Sequence, residues 1–238
     1  RSTLVSTLFP YTTLFRSSSM SRSIHDIRSK ISEREIARWK AEFQQIQAPV
    51  ALAELVQRFE DIVGDHAVHS PRADFWRDAY LALTFSRLRK ASSVQMLEPK
   101  RDESGKIAPD FQIKVDGIWA RYELVEALPL GRHRSDEFRE DREVGGKARV
   151  DHVPSKEELT AILSRVAIIK ASKASNYADC RGLVIMLSTW ALLSNEERKD
   201  AFTAGTEEAG KAFDEVWVIK QPVAHLVWSG GSPIYPRL

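Results

Sequence analysis

Hydrophobic residues in the early part of the chain recur at three- and four-residue intervals, the spacing of an amphipathic helix. Strong helix formers dominate between Ile24 and about Phe59. Pro49 interrupts this pattern, so we predict one helix before it and a second helix over residues 51–62. The apolar stripe of the first helix comprises Ile31, Ile36, Trp39, Phe43 and Ile46.

The next hydrophobic segments predict one more helix and then strands. The pair Ser70-Pro71 is a typical helix start, an N-cap hydroxyl followed by proline, for a helix that reaches about Lys90. Residues 94–97 predict a short strand. Farther on, apolar and polar residues alternate on both sides of Asp116-Gly117, a strong signal for a two-residue turn between strands. We therefore predict a β-hairpin over residues 109–127.

The second half of the chain contains both helical and strand patterns. Ser155 and Glu158 form a capping box for a helix that we expect to run to about Ser175. Residues 182–187 are a continuous apolar run, typical of a central strand buried on both faces. The remaining predicted elements are a helix over 195–212 and strands over 214–219 and 224–228. The pattern predicts a mixed α/β fold, an α+β mixed sheet with the core order αβββαβαββ and extra N-terminal helices.

Composition limits the class of protein. The chain has 238 residues, of which 43% are hydrophobic and 29% are charged, enough for one globular core. No apolar run approaches the roughly 20 residues that a membrane span requires, so we expect no membrane partner. One cysteine excludes an internal disulfide and argues against a thiolate zinc site. The net charge of +2 neither demands nor excludes nucleic acid.

The start of the chain differs in character from the rest. Residues 7–17 read TLFPYTTLFRS, which resembles the translation of a sequencing adaptor. We expect residues 1–19 to be a non-native or disordered leader and Met20 to be the natural start. Residues 20–69 then form accessory helices, and residues 70–238 form the main domain.

The predicted hairpin brings two acidic residues together. With a two-residue turn at Asp116-Gly117, Asp110 lies opposite Glu123, and directly opposed Cβ atoms are about 4.5–5.5 Å apart. Like charges at this position destabilise a sheet unless a cation lies between them. Mg²⁺ or Mn²⁺ is one such cation, since these ions bind one or two carboxylates plus water and phosphate oxygens. The alternative is an ordinary surface cluster in which Lys114 or Arg121 neutralises both acids.

Alternation along the hairpin assigns its two faces. The apolar face is expected in the core, and the acidic pair is expected at the open end of the polar face. Glu126 falls on the apolar face unless a bulge reorients it, so it is a weaker candidate ligand. The apolar face comprises Phe111, Ile113, Val115, Ile118, Ala120, Tyr122 and Leu124, and the polar face comprises Asp110, Gln112, Lys114, Trp119, Arg121, Glu123 and Val125.

Pro109-Asp110 at the start of one strand, followed by Glu123 in the segment YELVEA, resembles the PD and (D/E)xK elements of the restriction-endonuclease-like nuclease superfamily. The predicted order of elements over residues 70–228 is similar to the common core of that family. The resemblance implies hydrolysis of phosphodiesters in DNA or RNA, with Asp110 and Glu123 holding Mg²⁺ or Mn²⁺. The family also often has an acid on the preceding helix, where Asp74 and Asp78 are available and Asp78 is closer to the middle.

The chain departs from the family pattern at the lysine, because Val125 occupies that position. Some members place the lysine on the following helix, where Lys170 and Lys173 both fall within the predicted apolar stripe. Either lysine would stabilise negative charge or position the nucleophile. The alternative is snorkelling, with the ammonium groups reaching solvent. The stripe comprises Leu159, Ile162, Leu163, Val166, Ile169 and Tyr177.

Three hypotheses follow for the function. The first is a metal-dependent nuclease of a bacterial cytoplasm, favoured by the acidic pair and the two lysines. The second is a catalytically inactive domain of the same fold that binds nucleic acid or a protein partner, favoured by Val125. The third is a structural domain whose hairpin matches the motif by chance. The sequence does not identify the substrate or the oligomeric state.

Other features carry less weight. Residues 132–149 are rich in arginine and suit a nucleic-acid backbone, but interleaved acids favour a mixed-charge solvated loop. His66 and His69 lack an evident third metal ligand, so a surface turn is the better interpretation. Cys180 has no nearby histidine in the sequence and is expected in the core.

Overall fold

The computed structural model describes residues 32–63, 74–129, 153–187, 192–220 and 223–234. The predicted leader, the helix start at Ser70-Pro71, the histidine pair His66 and His69, and the charged segment 132–149 lie outside these ranges.

In the described residues, three helices precede the first strand, at Glu33–Phe43 (α1), Pro49–Val63 (α2) and Asp74–Leu88 (α3). A capping box between Ser32 and Glu35 begins α1. The predicted division of the first two helices at Pro49 is confirmed, since proline opens the second helix. Ile46 was expected on the apolar stripe of α1, but it is 59% exposed because the helix ends before it.

Within the ranges that the structure describes, seven strands form one mixed sheet in which each strand pairs with its neighbour in sequence. The pairs β3·β4 and β4·β5 are parallel, and the other pairs are antiparallel. The strands are β1 (Ser93–Met96), β2 (Phe111–Val115), β3 (Ile118–Ala127), β4 (Cys180–Leu187), β5 (Glu215–Lys220), β6 (Val223–Ser229) and β7 (Ser232–Pro233).

Helices between the parallel strands provide the crossovers that parallel pairing requires. They are α4 (Lys156–Ala171), α5 (Asn195–Gly205) and α6 (Glu207–Ala212). The expected capping box of Ser155 and Glu158 begins α4. The helix predicted over 195–212 is divided at Thr206, and β7 was not predicted; otherwise the order of elements is as expected. No helix in the described part of the chain has the length and apolar character to cross a bilayer.

The predicted hairpin is confirmed together with its register. Asp116 and Gly117 have φ of 51° and 82°, the left-handed conformations of a type I′ turn. The ladder runs from Val115 opposite Ile118 to Phe111 opposite Tyr122. Ile118 was expected in the core but is 65% exposed, because the tip of the hairpin extends beyond the helices that cover the sheet.

Hydrophobic clusters cover both faces of the sheet. Helices α1 to α3 pack on one face, against Ile113 and Leu124 among others. Helices α4 to α6 pack on the opposite face. Strand β4 supplies Val184 to the first cluster and Leu183 and Ile185 to the second, as expected of a strand buried on both sides.

A buried acid anchors the start of β5. The carboxylate of Glu215 accepts hydrogen bonds from the Tyr122 hydroxyl (3.0 Å) and the Trp217 indole (2.9 Å). Arg89 and Arg181 form ion pairs with the same carboxylate. Burial raises the pKa of Glu215, but the hydrogen bonds and the two guanidinium groups outweigh it and lower the pKa overall. The network therefore holds a charged carboxylate on the face of β3 opposite Glu123.

Gly210 in α6 lies against the indole ring of Trp228, so closely that a Cβ atom would overlap the ring. Trp228 is 7% exposed, and its indole NH donates to Thr206 Oγ1 at 2.9 Å, so the ring has little freedom to move. We predict that Gly210→Ala lowers the free energy of unfolding by about 1–3 kcal/mol through overpacking. This range is the net loss, after the gain of about 1 kcal/mol that alanine brings within a helix.

Urea denaturation of wild type and variant measures this effect. Lys211→Ala, at the neighbouring exposed position, is the control and is expected to change the midpoint little. Equal midpoints for Gly210→Ala and wild type would contradict the proposed overlap.

Candidate active site

Asp110 and Glu123 meet at the base of the hairpin. Asp110 directly precedes β2, and one further step of the observed register sets it opposite Glu123. Its Oδ2 atom accepts a hydrogen bond from the backbone NH of Leu124 at 2.6 Å. Glu123 is 4% exposed. The acidic pair therefore lies at the open end of the hairpin, as expected, and Glu123 is buried there because α4 packs over it.

Lys170 of α4 forms an ion pair with Glu123 through Nζ and Oε1. The side chain of Lys170 is 19% exposed, and that of Glu123 is 6% exposed, so the pair is largely shielded from water. Lys173 is exposed instead. The helical stripe that predicted both lysines ends with α4 at Ala171, and the chain turns away before Lys173. Only Lys170 of the two is brought to the acidic pair.

The two cations first considered for neutralising the pair have other partners. Arg121 forms an ion pair with Asp179 at 3.5 Å. Lys114 lies over the ring of Trp119, 6.0 Å from its centroid. The cation at the acidic pair therefore comes from the helix and not from the hairpin.

Tyr177 is part of this cluster, although it was predicted as an apolar position of the helix. It follows a short 3₁₀ turn at Ala174–Asn176, and its hydroxyl donates to Glu123 Oε1 at 2.8 Å. Nothing in the hydrophobic pattern indicated this role, because the residue lies beyond the end of α4.

A cavity of about 450 Å³ opens beside the acidic pair. Asp78 of α3 lines it, whereas Asp74 is not part of the lining and has a side chain that is 57% exposed. Glu126, which was considered a weak candidate, also lines the cavity, because the cavity reaches both faces of β3 at its end. The lining residues are Arg77, Asp78, Leu81, Asp110, Leu124, Val125, Glu126, Leu128 and Lys170.

Two carboxyl groups of the cavity have raised pKa values. Burial, followed by the negative charge of Glu123, raises the pKa of Asp110 to about 7, although Lys170 acts in the opposite direction. Burial also raises the pKa of Asp78 to about 6, with Arg77 and Lys170 again opposing the shift. The ionised forms of both groups are therefore destabilised, and a bound cation would relieve this cost.

These shifts predict a pH-dependent effect of Asp110→Asn on stability without metal. A raised carboxyl pKa means that folding favours the protonated form, so the stability contributed by Asp110 falls as pH rises through its pKa. We expect the variant to gain stability relative to wild type between about pH 4 and about pH 7, that is, from the ordinary carboxyl pKa to the raised one, because asparagine stays neutral. Urea midpoints in the presence of a chelator measure this gain. A difference in urea midpoint between Asp110→Asn and wild type that does not change with pH would contradict the raised pKa of Asp110.

Cys180 lies near the cluster and not within the core as expected. It is half-buried, and burial followed by the charge of Glu123 raises the pKa of its thiol to about 12. The thiol therefore stays protonated near neutral pH and is a poor nucleophile.

The chemistry of the donors suits a hard divalent cation. Among the described residues, no three His, Cys, Asp or Glu side chains converge as a ligand set. Asp110 and Glu123 supply two carboxylates, and Mg²⁺ commonly takes its remaining ligands from water and substrate phosphate.

No protein-family model matches the chain, and neither does any curated protein or solved structure.

Proposed function

We propose that this protein is a nuclease that hydrolyses phosphodiesters in DNA or RNA with the aid of Mg²⁺ or Mn²⁺. The observation that carries the proposal is the ion pair between Lys170 and Glu123 beside Asp110. It supplies from α4 the lysine that the hairpin lacks at Val125. The restriction-endonuclease-like core proposed from the sequence agrees with the hairpin, the parallel pair β3·β4 and the intervening helix.

In the proposed site, two carboxylates hold the ion, and neighbouring groups of the protein hold these carboxylates in position. Asp110 and Glu123 would bind the cation, with Asp78 as a further acid in the lining of the cavity. A divalent cation held by these residues would supply activation of water and compensation of the negative charge that develops on the phosphate. Each carboxylate has one oxygen fixed by the protein, because Leu124 NH binds Asp110 Oδ2 and Lys170 binds Glu123 Oε1.

Lys170 has a second task in the proposed reaction. An ammonium group has three donors, and the ion pair with Glu123 is formed through Oε1. Because Lys170 also lines the cavity, its remaining donors are available to a phosphate oxygen there. It would thus stabilise the additional negative charge of the transition state and help to position the attacking water.

The competing hypothesis is an inactive domain that binds nucleic acid or a protein partner. It rests on Val125, since the position normally occupied by lysine is apolar. Binding without hydrolysis separates this hypothesis from the first.

The test uses the full chain with single-stranded DNA, double-stranded DNA and RNA, each incubated with Mg²⁺, Mn²⁺ or a chelator. We expect cleavage of at least one substrate with metal and none with the chelator. Intact substrates under all conditions, together with a measurable mobility shift, would favour the inactive binding domain.

A further inference from the structure

The carboxylate of Glu123 is held by two donors on the same oxygen. Lys170 Nζ and the Tyr177 hydroxyl both bind Oε1, the latter at 2.8 Å. Neither of these two hydrogen bonds involves Oε2. A carboxylate with two donors on one oxygen is restricted in rotation about its terminal bond, so the direction of the other oxygen is also restricted.

The backbone around Tyr177 is fixed to the segment that leads into Asp110. Ile107 NH donates to the Asn176 carbonyl at 2.7 Å, and Ala178 NH donates to the Ile107 carbonyl at 2.9 Å. These bonds form a parallel bridge between Ile107 and Tyr177. These hydrogen bonds therefore join the backbone at Tyr177, whose hydroxyl binds Glu123, to the backbone segment that leads into Asp110.

We infer that Tyr177 is a positioning residue for the proposed metal site, because it fixes Glu123 through Oε1 and leaves Oε2 to bind the divalent cation. This inference rests on the proposed function. Lys170 alone supplies charge but has a flexible stem, whereas the phenol is rigid and its backbone is bridged to Ile107. The tyrosine therefore contributes orientation that the lysine does not.

Partners that orient metal ligands typically change metal affinity by 10- to 100-fold when they are removed. We expect Tyr177→Phe to weaken Mn²⁺ binding by about 10- to 100-fold. Cleavage by this variant should require correspondingly more metal for half-maximal rate. At saturating metal the rate should recover most of the wild-type value, since Tyr177 is not assigned a contact with the substrate.

Tyr122→Phe is a matched control. Its hydroxyl also donates to a buried glutamate, Glu215, at 3.0 Å, but on the opposite face of β3. Both substitutions remove a tyrosine hydroxyl that donates to a buried glutamate, and Tyr122 directly precedes Glu123 in β3. We expect Tyr122→Phe to lower the melting temperature and to leave Mn²⁺ affinity unchanged.

Calorimetric titration of the full-length wild type and variants with Mn²⁺ at fixed pH tests the inference. The expected result is weaker binding by Tyr177→Phe but not by Tyr122→Phe. Unchanged binding by both, or equal weakening by both, would overturn the positioning role.

Asp110→Asn distinguishes failure of the inference from failure of the proposed function. If this variant loses Mn²⁺ binding while Tyr177→Phe retains wild-type affinity, only the role of Tyr177 is wrong. If wild type binds no Mn²⁺, or Asp110→Asn binds it as tightly as wild type, the metal site is wrong and the role of Tyr177 falls with it.

Discussion

Asp110→Asn is expected to reduce metal-dependent phosphodiester cleavage by about 10³-fold, since a metal contribution of about 4 kcal/mol corresponds to three factors of ten. Asparagine keeps the size of the side chain and an oxygen that can accept the Leu124 NH bond. It removes the negative charge that would bind the cation. Because burial disfavours that charge, the variant should remain folded and be at least as stable as wild type at neutral pH without metal.

Asp116→Asn is the matched control for this substitution. Asp116 lies at the tip of the same hairpin with φ of 51°, a conformation that asparagine also adopts readily. Single-turnover cleavage by wild type and both variants, with circular dichroism to verify folding, measures the effect. Wild-type cleavage by Asp110→Asn would eliminate the proposed site.

Lys170→Met is expected to lower the cleavage rate by about 10²- to 10³-fold, the usual effect of removing one electrostatic stabiliser of a transition state. Methionine preserves much of the aliphatic volume but has no donor. Lys173→Met is the control, because that side chain is exposed and does not line the cavity. Equal cleavage rates for Lys170→Met and Lys173→Met would contradict the assignment of Lys170 to the active site.

Loss of folding must be separated from loss of catalysis in Lys170→Met. The substitution leaves Glu123 buried without its cation, and breaking a buried ion pair in this way costs about 3–5 kcal/mol. The double variant Lys170→Met/Glu123→Gln removes both charges and is expected to recover most of this stability. It should remain inactive. Recovery of both stability and cleavage would show that neither Lys170 nor the charge of Glu123 is needed for cleavage, and would contradict both assignments.

The hairpin was predictable because its determinants are local. Asp116-Gly117 selects the turn, the turn fixes the register, and the register sets Asp110 opposite Glu123. The capping box before α4 and the apolar run of β4 were predictable for similar reasons. The division of the predicted helix 195–212 at Thr206 was not predictable from local sequence. It accompanies the packing of Gly210 against Trp228, a residue distant in sequence.

The sequence by itself therefore determined the order of elements and the acidic pair, because turns, caps and periodicity depend on neighbouring residues. Only the tertiary structure distinguished Lys170 from Lys173 and Asp78 from Asp74, and only it brought Tyr177 to Glu123. The contacts of Lys170 and Tyr177 depend on where α4 ends and on how it packs over β3, and the position of Asp78 depends on how α3 packs beside the same cavity. Periodicity gives the face of a helix but not its last residue or its distance from another element, so the composition of the site was settled by packing.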